Sequence, residues 1–186
     1  MPISPEVITI AVLVVLALWL IATFNGLVRL RTRVQNAWAD IDVQLKRRHD
    51  LIPNLIETVR GYMQHERSTI EAVTQARAQA ISAGSNVAQR STAESLLTAA
   101  LGNLLAVVEN YPQLRAVENM QILQEQLTST ENRIAFARQF YNDEVMKYNT
   151  RCSTFPRNLI TGMLGFSFAT MFAATDADRA SVQVAI

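Results

Sequence analysis

With 186 residues, 49 % of them hydrophobic, the chain has room for one domain of ordinary size, and six Gly and five Pro leave long windows free for helix. Seventeen Lys and Arg against sixteen Asp and Glu give a net charge of +1, too weak a field to hold nucleic acid, so no nucleic-acid partner is expected. The single cysteine, Cys152, excludes an internal disulfide framework and a cysteine-based zinc site.

The first element is Val7 to Phe24. No Asp, Glu, Lys or Arg lies between Glu6 and Arg29, a run of about the length that crosses a bilayer as a helix. A cleaved signal peptide would have a basic start and small residues at its end, whereas this run follows Glu6 and closes on Ile21-Ala22-Thr23-Phe24. Arg29, Arg31, Arg33, Lys46, Arg47 and Arg48 crowd its C-terminal side, and such residues stay in the cytoplasm. The expectation is a single-pass anchor over 7–26, a short extracytoplasmic tail over 1–6 and a cytoplasmic body. The lipid bilayer is then its first partner.

Beyond the span, Leu27, Leu30, Val34, Trp38, Ile41, Leu45, Ile52, Leu55, Val59, Tyr62, Val73 and Ala80 recur at spacings of three, four or seven. That pattern places one apolar stripe along a long helix, expected over 27–81. Asn25-Gly26 allows a bend at the membrane exit. Pro53 is expected to kink the helix rather than stop it, because the stripe continues in phase on both sides. Ser82 to Ser91 is the clearest loop, and Ser91-x-x-Glu94 matches a capping box opening a second helix over 91–110. A third helix over 114–151 carries Val117, Met120, Leu123, Leu127, Ile134, Ala137, Tyr141, Val145 and Tyr148. The fold class is therefore all-α, a long-helix antiparallel bundle of three to four helices and coiled-coil character on a membrane stem, with the bundle over 27–175.

Beside these stripes stand Arg47, Arg48, Asp50, Asn54 and Glu57 on the first helix and Glu131, Arg138, Asn142 and Asn149 on the third. Two readings remain open. They form a charged network that fixes register or grips a partner, or they are surface ion pairs worth about 0–1 kcal/mol each. Arg138 has Glu57 and Asp50 as conceivable partners, and one sequence does not choose between them.

The ordered motifs also carry a resemblance. Ala37-Trp38-Ala39-Asp40-Ile41-Asp42-Val43-Gln44-Leu45-Lys46-Arg47-Arg48 leads into Asp50-Leu51-Ile52-Pro53-Asn54-Leu55-Ile56-Glu57, followed by His65-Glu66 and Ala76-Arg77. Then come Glu131-Asn132-Arg133-Ile134-Ala135-Phe136-Ala137-Arg138-Gln139-Phe140-Tyr141-Asn142 and Phe155-Pro156. Over essentially its whole length the chain resembles the LemA family of bacterial membrane proteins. The resemblance implies an N-terminal span in the bacterial inner membrane, an antiparallel helical bundle, and relatives in magnetosome-forming bacteria that act in membrane organelle formation. It implies no enzyme and no cofactor.

The residues agree with that last point. A di-iron bundle needs Glu-x-x-His pairs, but Lys46 stands three residues before His49 and Tyr62 three before His65. Cys152 has no neighbouring His or phosphate-binding loop, so no catalytic, cofactor-binding or metal residue is expected. Leu159 to Ala174 is apolar, short for a span and interrupted by Gly162 and Gly165. Three placements compete for it: a fourth bundle helix over 157–174, the membrane interface, or a neighbouring subunit. Val182, Val184 and Ile186 alternate as a strand does, which suggests that the 176–186 tail adds to an edge elsewhere or is disordered.

The functional expectation is a non-enzymatic scaffold that self-associates at the cytoplasmic membrane in membrane-associated assembly or organisation. The alternative is an adaptor or regulator docking on another membrane protein, such as a membrane protease or signalling enzyme. Arg48, Asp50, Asn54, Glu57, Glu131, Arg138 and Asn142 are the expected interaction or register residues. Phe155, Met163, Phe166, Phe168, Phe172, Val182 and Val184 are the expected homo-oligomer contacts.

Overall fold

A computed structural model describes residues 4–63 and 65–172. Among them every regular element is helical: α1 (Pro5–Arg60), α2 (Arg67–Ser82), α3 (Val87–Val108), the single turn α4 (Pro112–Arg115), α5 (Glu118–Ser153) and the single turn α6 (Asn158–Thr161). The protein is all-α.

The N-terminal part of α1 is apolar and bare on every side; Val7, Ile10, Leu13, Leu18 and Ile21 are all more than half exposed. A helix apolar all round and covered by nothing in its own chain is a helix built for lipid. Helix α3 is also long and apolar, but Leu97, Leu101, Leu104 and Val108 are buried in the core, as in a soluble bundle.

Past the span, α1 continues without a break through Asn25-Gly26 and through Pro53. The helix expected over 27–81 is two helices. Arg60 ends α1, a turn over Gly61 and Tyr62 follows, and Met63 tucks into the core before α2 runs back along α1. The apolar spacing survives this turn, which is why it reads as one stripe. Gly84, at a φ of 65°, reverses the chain from α2 into α3, and the turn α4 leads into α5, which returns along α1 towards the membrane. The body is thus an up-down-up-down bundle of α1, α2, α3 and α5.

Its apolar interior is in two parts. The distal part joins Ile52, Leu55, Val59 and Met63 of the α1 end to Val73, Leu97, Leu104, Leu114, Met120 and Leu127. The membrane-proximal part joins Leu27, Ala37, Ile41 and Leu45 to Ile134, Tyr141, Val145, Tyr148 and Phe172. Here only α1 and α5 are present as long helices, too few to enclose a core.

The third wall is the segment that follows α6. Of the residues expected as a helix over 157–174, those described form only the turn α6; after Gly165, at a φ of 75°, the chain runs back up the bundle as a non-helical strap over 166–172. Phe166 meets the Phe24 ring at 5.6 Å, and Phe172 is buried against Trp38 at 6.1 Å. Strap and α5 are bound through a repeat. Asn149 donates to the Ala169 carbonyl and accepts from its N–H, both at 2.9 Å, and Asn142 does the same for Phe172 at 3.1 and 2.8 Å. Tyr148 and Tyr141 donate to the carbonyls of Ser167 and Thr170 at 2.9 and 2.8 Å. Seven helical residues advance about 10.5 Å and three extended residues about 10 Å, so a Tyr-Asn pair repeated every seven residues matches a strap read every three.

Candidate functional site

Between the two apolar parts lies a buried ionic layer. On α1 the stripe Ile41, Leu45, Ile52, Leu55 has its missing member at Arg48, fully buried. On α3 the stripe Leu97, Leu101, Leu104 extends back to Glu94, also fully buried. Side chains at such spacings cannot avoid facing one another across a bundle.

Nη2 of Arg48 is paired with Oε2 of Glu94. Nη1 donates to Thr98 Oγ1 at 2.8 Å and to Glu131 Oε1 at 2.6 Å, so one guanidinium joins α1, α3 and α5. Thr98 Oγ1 in turn donates to the Glu94 carbonyl at 3.1 Å. Nε2 of His49 lies 3.1 Å from Oε1 and 3.4 Å from Oε2 of Glu94. Burial by itself would raise the Glu94 pKa, but the hydrogen bond from His49 and the charge of Arg48 outweigh it and hold the carboxyl below the usual range.

Helix α2 joins through the backbone. Pro53 has no N–H to give the carbonyl of His49, four residues back, so that acceptor is left open in the middle of α1. Arg77 Nε donates to it at 2.8 Å. Pro53 does not stop the helix, as expected, and it supplies a docking point for α2. Replacing Arg77 with Met should cost about 1.5–3 kcal/mol, the range for a hydrogen bond to a charged donor. In a Pro53→Ala background the restored N–H takes the carbonyl and the cost should shrink. Thermal melts of the four proteins of this cycle measure it; equal costs in both backgrounds would count against the substitution of one donor for the other.

The predicted residues divide accordingly. Arg48 and Glu131 meet in the layer, while Asp50, Asn54 and Glu57 are exposed on α1. Asn142, on α5, holds the strap. Arg138 lies over the Phe172 ring, its guanidinium carbon 4.6 Å from the centroid. The register that brings Arg48 to Glu131 and Trp38 to Tyr141 sets Arg138 level with the Ile41 region, and Asp50 lies about 13 Å farther along the helix. Phe172 is in the core and Phe166 packs on Phe24, so these two are contacts within the chain; Phe155, Met163 and Phe168 are exposed. Val182 and Val184 lie outside the described residues.

Glu94, Thr98, His49 and Arg77 are the members that the sequence reading missed. Glu94 looked like the end of a capping box, but Asn86 caps α3, its Oδ1 accepting from the N–H groups of Ala88 and Gln89 at 3.0 and 3.1 Å. Ser91 and Glu94 are therefore inside the helix and inside the protein. The available signal was a charged residue in phase with an apolar stripe on two helices.

The chemistry of the layer is that of a buried, hydrogen-bonded ion pair joining three helices. Its carboxylate and guanidinium neutralise each other away from solvent. Among the described residues no three His, Cys, Asp or Glu side chains come together as a metal-binding group. Burial pushes the Cys152 thiol up, the opposite of what activates a nucleophile, and burial together with Cys152 pushes the Tyr148 hydroxyl up to about 12.

Residues 37–186 match the sequence model of the LemA family. Magnetosome protein MamQ 2 of Paramagnetospirillum magneticum is 25 % identical over 89 % of this chain and 70 % of its own length. Magnetosome protein MamQ of Magnetospirillum gryphiswaldense is 23 % identical over the same shares, 89 % and 70 %. Protein LemA of Metamycoplasma hominis is 24 % identical over 85 % of this chain and 72 % of its own length. None of these names is that of an enzyme.

Proposed function

The chain belongs to the LemA family, and we propose that it is a non-enzymatic membrane scaffold that self-associates in the plane of the bacterial inner membrane. The apolar N-terminal helix and the family together indicate a membrane-anchored protein. The finer assignment, with the N-terminus outside and the body in the cytoplasm, rests on the basic residues from Arg29 onward.

The observation that carries self-association is a pair of phenylalanines on α5. Phe136 and Phe140, one turn apart, are 72 % and 51 % exposed on a helix that buries Ile134, Tyr141 and Val145 on its other face. An apolar pair on a rigid rod is a contact waiting for a surface. Anchoring in a plane raises the local concentration of such rods, so a contact that is weak in solution becomes effective at the membrane. Similarity to proteins named for the magnetosome supports a role in membrane-associated assembly.

The full chain in detergent should scatter light as a particle well above 20.7 kDa plus its micelle. Phe136→Asp with Phe140→Asp should reduce it to one chain per micelle while the helical circular dichroism stays unchanged. A wild-type monomer at micromolar concentration would overturn self-association. The same face would then serve an adaptor that docks on another membrane protein.

A further inference from the structure

We propose that the groove between α1 and α5 at the membrane exit binds the headgroup of an anionic phospholipid. It is lined by Gly26, Arg29, Leu30 and Arg33 of α1 and by Met146, Lys147, Thr150, Arg151 and Thr154 at the end of α5 and just beyond it, around a space of about 660 Å³. Four of these nine residues are cationic and none is acidic. Among the described residues Arg29, Arg33 and Arg151 have no ion pair; Arg29 Nε donates only to the Asn25 carbonyl at 3.3 Å. Lys147 is held by Glu144 at 2.7 Å.

The position selects the ligand. Arg29 is the first charge after Glu6, and α1 is unbroken from the span onward, so Arg29 and Arg33 stand about 8 and 14 Å beyond Phe24 along the helix axis. The headgroup layer is about 5–8 Å deep on each side of a hydrocarbon core of about 30 Å, so Arg29 stands at its outer edge and Arg33, one turn farther, has a side chain long enough to reach back to it. Leu30 and Met146 give the groove an apolar wall for the glycerol and first methylenes. Thr154 is followed by a turn that exposes Phe155, Leu159 and Met163 at 72 %, 65 % and 87 %. Apolar tips beside a cationic groove suit the boundary between acyl chains and phosphates. Helical spacing places Gly26, Arg29, Leu30 and Arg33 on the flank of α1 away from Phe24 and Trp38, so the strap leaves the groove open.

The inference rests on anchoring by α1 and not on self-association. Its test uses the full chain in bilayer discs of phosphatidylcholine, with and without phosphatidylglycerol, followed by release into detergent and native mass spectrometry. The protein should retain phosphatidylglycerol in preference to phosphatidylcholine. Arg33→Gln with Arg151→Gln should reduce the preference about thirtyfold, since each cation near an anionic membrane surface contributes about fivefold. Arg33→Lys with Arg151→Lys should keep most of it, and Arg60→Gln with Arg67→Gln, at the far end of the body, should change nothing. Equal retention of the two lipids by the wild-type chain would overturn the proposal whatever the variants do. So would an undiminished preference in the glutamine variant, or displacement of the lipid by inorganic phosphate, which would make free phosphate the ligand.

Discussion

Replacing Arg48 with alanine should cost the body about 3–5 kcal/mol, because it leaves the Glu94 carboxylate buried without its counter-charge. The loss should appear as a large drop in the melting temperature of the detergent-solubilised full chain, followed by far-ultraviolet circular dichroism. Arg48→Met combined with Glu94→Leu should recover most of it, since two apolar side chains in that layer join the apolar parts on either side. Failure of the double variant to recover would mean that Thr98, His49 and Glu131 need the charge for themselves. The same pair sets an acid limit. The native Glu94 pKa lies below its unfolded value, so its contribution is complete above the unfolded carboxylate pKa and is lost as pH falls through the native one. Stability measured on the acid side should therefore fall less steeply in Glu94→Gln than in the wild type, and parallel profiles would remove the linkage.

Asn142→Ala with Asn149→Ala should free the strap while the four-helix part stays folded. Each asparagine satisfies both backbone groups of one strap residue, and two hydrogen bonds at about 1 kcal/mol each amount to about 2 kcal/mol per substitution. Hydrogen exchange at the amides of Ala169 and Phe172 should accelerate about thirtyfold for one substitution and about a thousandfold for both. Exchange in α2 and α3 should not change. If the double variant leaves Ala169 and Phe172 protected, then Phe172 packing, and not the asparagine pairs, holds the strap.

The parts legible in the sequence were those with long-range periodicity. An uncharged N-terminal run, stripes at three and four, and a Ser-Gly-Asn loop are enough for an all-α bundle on a membrane stem. What was hidden depended on partners far apart in the chain. Arg48 and Glu94 are 46 residues apart, and each alone looks like a surface charge interrupting a stripe. Glu94 also had a local explanation in the capping box, and Asn86 took that role five residues before Ser91. The turn at Gly61 was lost because the apolar phase survives it. The strap was hidden for a different reason: an apolar segment is equally apolar as helix or as extended chain. The sign of its true form was elsewhere, in Tyr141-Asn142 and Tyr148-Asn149, a polar pair repeated at the period of the helix it stands on.

The continuity of α1 gives bilayer thickness a mechanical output. A helix that is continuous where it leaves the membrane passes its tilt to everything fastened to it, and the ionic layer fastens α3 and α5 to this one. About 54 Å of α1 lies beyond Phe24, so a tilt of about 20°, ordinary for a span adapting to its bilayer, displaces the far end by about 18 Å. A few ångströms of lipid are thereby converted into lateral reach, and two anchored copies could touch or miss according to the membrane in which they stand.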